Sequence, residues 1–357
     1  MMVAERVPTD ASPSTSLPFV SIVVPIRNEE AHIEACLDGL VQQDYPAHLM
    51  EIIVVDGRSE DGTPEAVARS AARHPSARIR VLTNPARTVP PGFNAGTRAA
   101  TGGIIVRMDG HAVPARDYVA RCVAALARTG AANVGGAIEP RGETRFGHAV
   151  AAAIQHPLGA GDARFRVGGA AGYVDTVPFG AFRRSVLERV GLLDESMARN
   201  EDYELNVRIR AAGERVYFDP GIRSRYTPRG SVRALWAQYF QYGWWRVETF
   251  RRHPHSLRWR QVLPPAFCAS LLLLTVLAPL SALAATTLAA MLAAYLLLVA
   301  LTAWRIARPP VPRAALVTAF VVLHVAFGMG FLTNLGSGGR YPQRARRPQV
   351  PLLGADG

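Results

Sequence analysis

The chain contains no lysine, so all 40 of its basic residues are arginine. Chemistry that needs a lysine amine, whether a Schiff base or the phosphate-binding lysine of a P-loop, is thereby excluded. Arginine keeps its charge and presents a planar fork of donors that suits bidentate contact with a diphosphate. Genome composition accounts for the bias as such. Cysteine is scarce too: Cys36, Cys122 and Cys268 are scattered with no CxxC pair, which gives neither a disulfide framework nor a zinc site. Residues 1–17 are polar, with Pro and Ser, and lack the apolar core of a signal peptide. They read as a disordered leader to a cytosolic domain.

At 357 residues the chain holds one sizeable α/β domain and something further. The net charge of +12 fits either nucleic acid or an anionic membrane surface. Uncharged stretches of membrane length and the lack of any RNA- or DNA-binding motif argue against nucleic acid.

Residues 19–25 (FVSIVVP) and 51–56 (EIIVVD) are apolar, β-branched runs of the kind that form buried parallel strands. Residues 78–82 and 104–108 add two more. Helices are expected at 28–43, after GRSEDGT to about 74, and at 115–128. This alternation predicts a doubly wound α/β domain. Further on, strands are expected at 133–138, 175–182 and 215–218, and helices at 183–190 and 200–212; the Gly/Ala-rich residues 159–172 read as a mobile substrate loop. An aromatic and arginine-rich helix over 231–252 suits a bilayer interface, with an ordinary amphipathic helix packed on the domain as the alternative. Uncharged residues 262–303 and 314–339 hold about three membrane helices. Arginines at 258, 260, 305, 308 and 313 put the side they flank in the cytoplasm, but three spans would then export the tail with Arg340, Arg344, Arg346 and Arg347. Either FGMGFLTNLGSGG is re-entrant or the tail is an exception.

The organising stretch is IIVRMDGHAVP, a buried strand that breaks into Asp109, Gly110 and His111. An acidic residue and a second donor at the carboxyl edge of a parallel sheet can present a metal. Asp56 could accept from a base N–H, while Ser59 or Asp61 could cap the next helix. Together VSIVVPIRNEE, VVDGRSEDGT, GFNAGTRAATG, MDGHAVP, VPFGAFRRSVLERVGLLDE and NEDYELNVRIRAAG resemble the family 2 glycosyltransferases over about residues 19–226. The membrane-anchored members that build succinoglycan-type bacterial exopolysaccharides are the most similar in kind.

That resemblance implies a GT-A fold, a Rossmann-like nucleotide-diphospho-sugar transferase domain, over 18–228. Interfacial helices would follow at 229–260, transmembrane helices at 261–335 and a basic tail at 336–357. It implies that Pro25, Asn28, Glu29, Asp56, Asn94 and Gly96 bind the nucleotide sugar, and that Asp109 and His111 hold Mn²⁺ or Mg²⁺. Asp202 would be the catalytic base, with Glu201 next in rank. Asp194, Trp245 and Arg246 would lie near the acceptor or diphosphate. The expected enzyme is inverting, moving a single sugar from a UDP-hexose to a polyprenyl-linked glycan at the bacterial inner membrane. A polyprenyl-phosphate sugar transferase and a non-catalytic nucleotide-binding scaffold are the alternatives.

Overall fold

The computed structural model describes residues 17–339; the leader through 16 and the basic tail from 340 lie outside the described residues. The strands are β1 (Val20–Ile26), β2 (Met50–Asp56), β3 (Ile79–Thr83), β4 (Ile104–Arg107), β5 (Ala112–Pro114), β6 (Asn133–Pro140), β7 (Gly172–Val174), β8 (Ala181–Arg183) and β9 (Val216–Tyr226). They form one mixed sheet in the order β3-β2-β1-β4-β8-β6-β9-β5, with β7 on β9. The β3-β2-β1-β4 part is parallel throughout, and β6 pairs with β9 in parallel; β8 runs antiparallel to both β4 and β6, as do β5 and β7 to β9. The expected doubly wound parallel sheet therefore covers just the first half.

Every residue of β1 and β4 is buried, as continuous apolar runs covered on both faces must be. From β1 the chain moves outward to β2 and β3, then returns to place β4 on the other side of β1. The strand order thus reverses between β1 and β4, and ligands of open α/β sheets bind in the crevice at such a switch point.

Among the helices, α1 (Ile33–Val41) begins five residues later than expected, because Asn28 adopts a left-handed conformation with φ 53° and opens a turn. Next come α2 (Thr63–Arg73), α3 (Val89–Ala99), α4 (Tyr118–Thr129), α5 (Arg145–Ile154), α6 (Pro157–Ala160) and α7 (Arg164–Val167). α7 and the end of α6 are short turns of helix within the 159–172 stretch that was read as a mobile loop. Then follow α8 (Arg184–Val190), α9 (Glu201–Ala211), α10 (Val232–Arg252), α11 (Trp259–Leu277), α12 (Ala282–Ile306) and α13 (Arg313–Ser337).

Helices α11, α12 and α13 are long and apolar enough to cross a membrane. On α11 and α12, leucines such as Leu273, Leu283 and Leu297 are exposed. α13 is continuous, so FGMGFLTNLGSGG is not a re-entrant turn. Its buried face joins α5, α10 and α12 in a core that includes Val150, Leu235, Val299, Phe320 and Leu323.

α10 lies along α13 at very close range. A Cβ on Gly243 would come within 2.0 Å of the Phe327 carbonyl oxygen, and one on Gly330 within 2.0 Å of the Phe240 carbonyl oxygen. Small residues that let backbones approach are the usual device where lipid supplies no hydrophobic drive. Gly330→Ala is expected to cost about 1–3 kcal/mol by overpacking, seen as a lower thermal midpoint of the detergent-solubilised protein. Gly336→Ala, on the same helix but facing open space, should not lower it. Equal midpoints for the two variants would remove the interlock.

Candidate active site

Three chain segments meet at the β1/β4 switch point. The turn after β1 is tied to the turn after β2: the Asn28 N–H donates to Ser59 Oγ at 2.9 Å, and Asn28 Oδ1 accepts the Glu60 N–H at 2.9 Å. Asp56 in turn accepts the Ser59 hydroxyl at 2.6 Å. The turn after β4 then docks on the β1 turn. A Cβ at Gly110 would lie 2.7 Å from Ile26 Cγ2 and 3.2 Å from Glu29 Cγ, so only glycine lets Glu29 reach His111. Glu29 Oε1 meets His111 Nδ1 at 2.9 Å. Burial opposes a charge on that imidazole, but Glu29 and Asp109 outweigh it and hold its pKa above the ordinary value.

The first turn of α9 supplies the third segment. Asn200, left-handed at φ 61°, occupies the N-cap position of α9 without a side-chain capping bond; it ties the helix start to α10 instead, donating through Nδ2 to the Tyr242 carbonyl at 3.1 Å and accepting from Arg246 Nη2 at 3.3 Å. Glu201 and Asp202 then sit where the helix dipole favours carboxylates. Buried Arg107 joins the two motifs: its Nε donates to Asp109 Oδ1 at 3.2 Å and its Nη2 to Glu201 Oε1 at 3.0 Å. Burial works against the Arg107 charge, yet Asp109, Glu201 and Asp202 raise its pKa further still. For Glu201 burial prevails over Arg107, and the carboxyl pKa is raised. The Arg246 guanidinium stacks over Tyr203 at 3.8 Å.

Two cavities share this wall. The smaller, about 60 Å³, lies between the β1 turn and the start of α3, lined by Pro25, Glu29, Asn84 and Thr88. The larger, about 700 Å³, runs from Arg107, Asp109, His111 and Asp202 to Leu263, Phe267, Leu298 and Phe327 on the three apolar helices.

The family model described as glycosyl transferase family 2 matches residues 21–191. The succinoglycan biosynthesis protein ExoA of Rhizobium meliloti is 33% identical over 247 residues, covering 69% of this chain and 74% of that protein. The chain belongs to glycosyltransferase family 2. A Methanococcus voltae transferase, dolichyl N-acetyl-alpha-D-glucosaminyl phosphate 3-beta-D-2,3-diacetamido-2,3-dideoxy-beta-D-glucuronosyltransferase, is 28% identical, with 68% of this chain and 77% of its own length covered. Among solved structures, a mannosyltransferase from Pyrobaculum calidifontis in complex with GDP-Man and Mn²⁺ superposes with a TM-score of 0.62 at 25% identity. It covers 92% of this chain and is itself covered over 91%, which extends the likeness beyond the GT-A domain into the C-terminal helices.

Within this family 2 enzyme the sequence-derived residues fall into two groups. Pro25, Glu29, Asp109, His111, Glu201, Asp202 and Arg246 line one or both cavities. Asn28 and Asp56 serve the loop ties described above. Asn94 is buried and clamps the loop before α9, donating to the Leu193 carbonyl and Glu195 Oε1 and accepting the Leu193 N–H. Gly96 lets α3 settle on the sheet, since a Cβ there would be 2.4 Å from Val23 Cγ1. Asp194 folds its own turn by accepting from Ser196 and pairs with Arg252 at 3.4 Å. Trp245 stands beside Arg246 on α10, but only Arg246 lines the large cavity.

Sequence reasoning missed Arg107, which bridges Asp109 after β4 and Glu201 at the start of α9. The signal was present: an arginine closing an otherwise apolar buried strand demands a buried partner. Arg166, Arg199 and the tyrosines Tyr226, Tyr239 and Tyr242, all on the wall of the large cavity, left no such mark.

Proposed function

We propose that this enzyme is an inverting transferase that moves one hexose from a UDP-sugar to a lipid-linked glycan. Its GT-A domain lies at the cytoplasmic face of a bacterial inner membrane, and α11, α12 and α13 span the bilayer. The observation that carries the acceptor class is the continuity of one cavity from Asp202 to apolar walls on the spanning helices. A water-soluble acceptor needs no such floor. The relatives named for succinoglycan biosynthesis and for a dolichyl-phosphate-linked sugar agree with it. A GDP-sugar is the second donor reading, favoured by the GDP-Man bound to the P. calidifontis mannosyltransferase.

Asp109 and His111 fit a divalent cation, Mn²⁺ or Mg²⁺. The Glu29 bond at His111 Nδ1 leaves Nε2 as the ligating nitrogen, the carboxylate–histidine arrangement usual behind metal ligands. No group of three or more His, Cys, Asp or Glu suited to a metal occurs among the described residues, so the donor's phosphates would complete the coordination. When bound, the cation offsets the negative charge that develops on the leaving nucleoside diphosphate.

Asp202 lies on the cavity wall with Oδ1 accepting the Tyr203 N–H at 2.7 Å. It takes the acceptor hydroxyl's proton as that oxygen attacks the anomeric carbon and the bond to the diphosphate breaks on the opposite face. Glu201 holds Arg107, and Arg107 holds Asp109.

Release of UDP or GDP from a panel of donor sugars, with membrane lipid extract as acceptor source, tests this reading. Turnover should need Mn²⁺ or Mg²⁺, stop in EDTA and fall by about 10²-fold or more in Asp109→Asn, the scale of losing one group that stabilises developing charge. Nucleotide binding without turnover on any donor would favour the scaffold instead.

A further inference from the structure

The charges around the large cavity are unevenly paired. Arg107 is matched by Asp109 and Glu201, and Arg260 by Asp162 and Asp175. Arg166, Arg199 and Arg246 have only neutral hydrogen-bond partners: the Tyr226 hydroxyl at 3.3 Å, Gln241 Oε1 at 3.1 Å and Asn200 Oδ1 at 3.3 Å. Among the described residues none of the three makes an ion pair with a carboxylate. Two buried nitrogens of Arg246, Nε and Nη1, have no hydrogen-bond partner. A buried charge without compensation is costly, and an anionic ligand removes that cost.

The cations without an ion pair lie towards two ends of the cavity. Arg199 borders the small cavity as well as the large one, beside Asp109 and His111, which is the donor's end. Arg166 borders the large cavity alone. Its partner Tyr226, with Tyr239, packs against the core formed by α5, α10, α12 and α13, so this cation stands where the domain meets the apolar helices. Tyr226 accepts from Arg166 and Tyr242 accepts from Gln238 Nε2 at 3.2 Å, leaving each phenol its own hydrogen to donate. Tyr239 packs edge-on to Tyr242, with ring centroids 5.3 Å apart. A guanidinium and phenols above an apolar wall match a phosphate carrying a hydrocarbon chain.

We propose that Arg166, Tyr226, Tyr239 and Tyr242 form a subsite for the phosphate of the lipid-linked acceptor, distinct from the site of the donor's diphosphate. The subsite rests on the acceptor class proposed above. It adds that the enzyme recognises the lipid phosphate itself rather than only the terminal sugar and the chain.

Binding by the full-length protein in detergent tests it, with a polyprenyl monophosphate, the parent polyprenol, and UDP or GDP with Mn²⁺ as probes. The wild type should prefer the phosphate over the alcohol by about tenfold or more, as expected for charge-assisted hydrogen bonds. Arg166→Gln should abolish that preference and leave nucleotide affinity unchanged. Arg166→Lys, which keeps the charge, should retain part of it, and Tyr239→Phe should lower it partway; these two variants decide the matter if the glutamine variant does not fold. Equal affinity for phosphate and alcohol in the wild type would overturn the subsite. So would a parallel loss of nucleotide affinity in Arg166→Gln, which would assign the cation to the donor. A persisting, Arg166-dependent phosphate preference without turnover on any sugar would support the subsite while counting against the transferase reading.

Discussion

Replacing Asp202 by asparagine is expected to lower kcat by about 10²–10⁴, the range that a positioned general base contributes, with nucleotide affinity unchanged. Asparagine keeps the oxygen that accepts the Tyr203 N–H and nearly the same volume, so the start of α9 should stay in place. What it loses is the capacity to take a proton. Glu201→Gln serves as the contrast, because Glu201 is buried against Arg107 and its carboxyl is engaged there at 3.0 Å. That variant weakens a support and should cost less in kcat than Asp202→Asn. The measurement is steady-state release of nucleoside diphosphate, together with nucleotide binding for each protein. If Glu201→Gln is the dead variant and Asp202→Asn turns over normally, the base is Glu201 and the roles exchange.

The parts of this chain that were legible in sequence are those determined by short-range pattern. VSIVVPI, MEIIVVD and IIVR are continuous apolar strands, and each is almost wholly buried. The apolar length of α11, α12 and α13 was equally plain. α3 was not expected: it opens with two prolines, which are tolerated in a first helical turn where no N–H partner exists. α5 was missed because its apolar face answers to α13, far along the chain. The end of β9 was missed at Pro220 and Gly221, where the register against β6 shifts and pairing then resumes; a Pro-Gly pair ordinarily ends a strand.

The places of Asp109, His111, Glu201 and Asp202 on the cavity wall were legible because strand ends and helix starts put side chains at predictable edges. The ties between them were not. Arg107 and Glu201 are 94 positions apart, and nothing local states that they meet. Asn94 shows another tie that spacing does not state. A polar residue in a motif invites a ligand, yet its amide is consumed by the backbone and side chain of the loop at 193–195.

Arg107 carries the other large expectation. Arg107→Ala removes the only ion-pair partner of buried Glu201 among the described residues, and breaking a buried pair from one side costs about 3–5 kcal/mol. The loss should depend on pH in a defined direction. Glu201 is already raised above the ordinary carboxylate value by burial, with Arg107 pulling against that rise. Without the arginine its folded pKa climbs further above the unfolded value of about 4.3. A carboxyl raised on folding contributes stability that is full below the unfolded pKa and is lost as pH rises through the folded one. The gap in thermal midpoint between wild type and Arg107→Ala should therefore widen from acid towards neutral pH. Adding Glu201→Gln to Arg107→Ala replaces the stranded charge by a neutral amide, so the double variant should be more stable than Arg107→Ala at neutral pH and lose most of the pH dependence. A gap that stayed constant with pH, or a double variant no better than the single, would mean that Glu201 does not depend on Arg107 for its charge. The bridge between the metal motif and α9 would then be a contact without energetic weight, and the positioning of Asp202 would have to come from Asn200 and Arg246 alone.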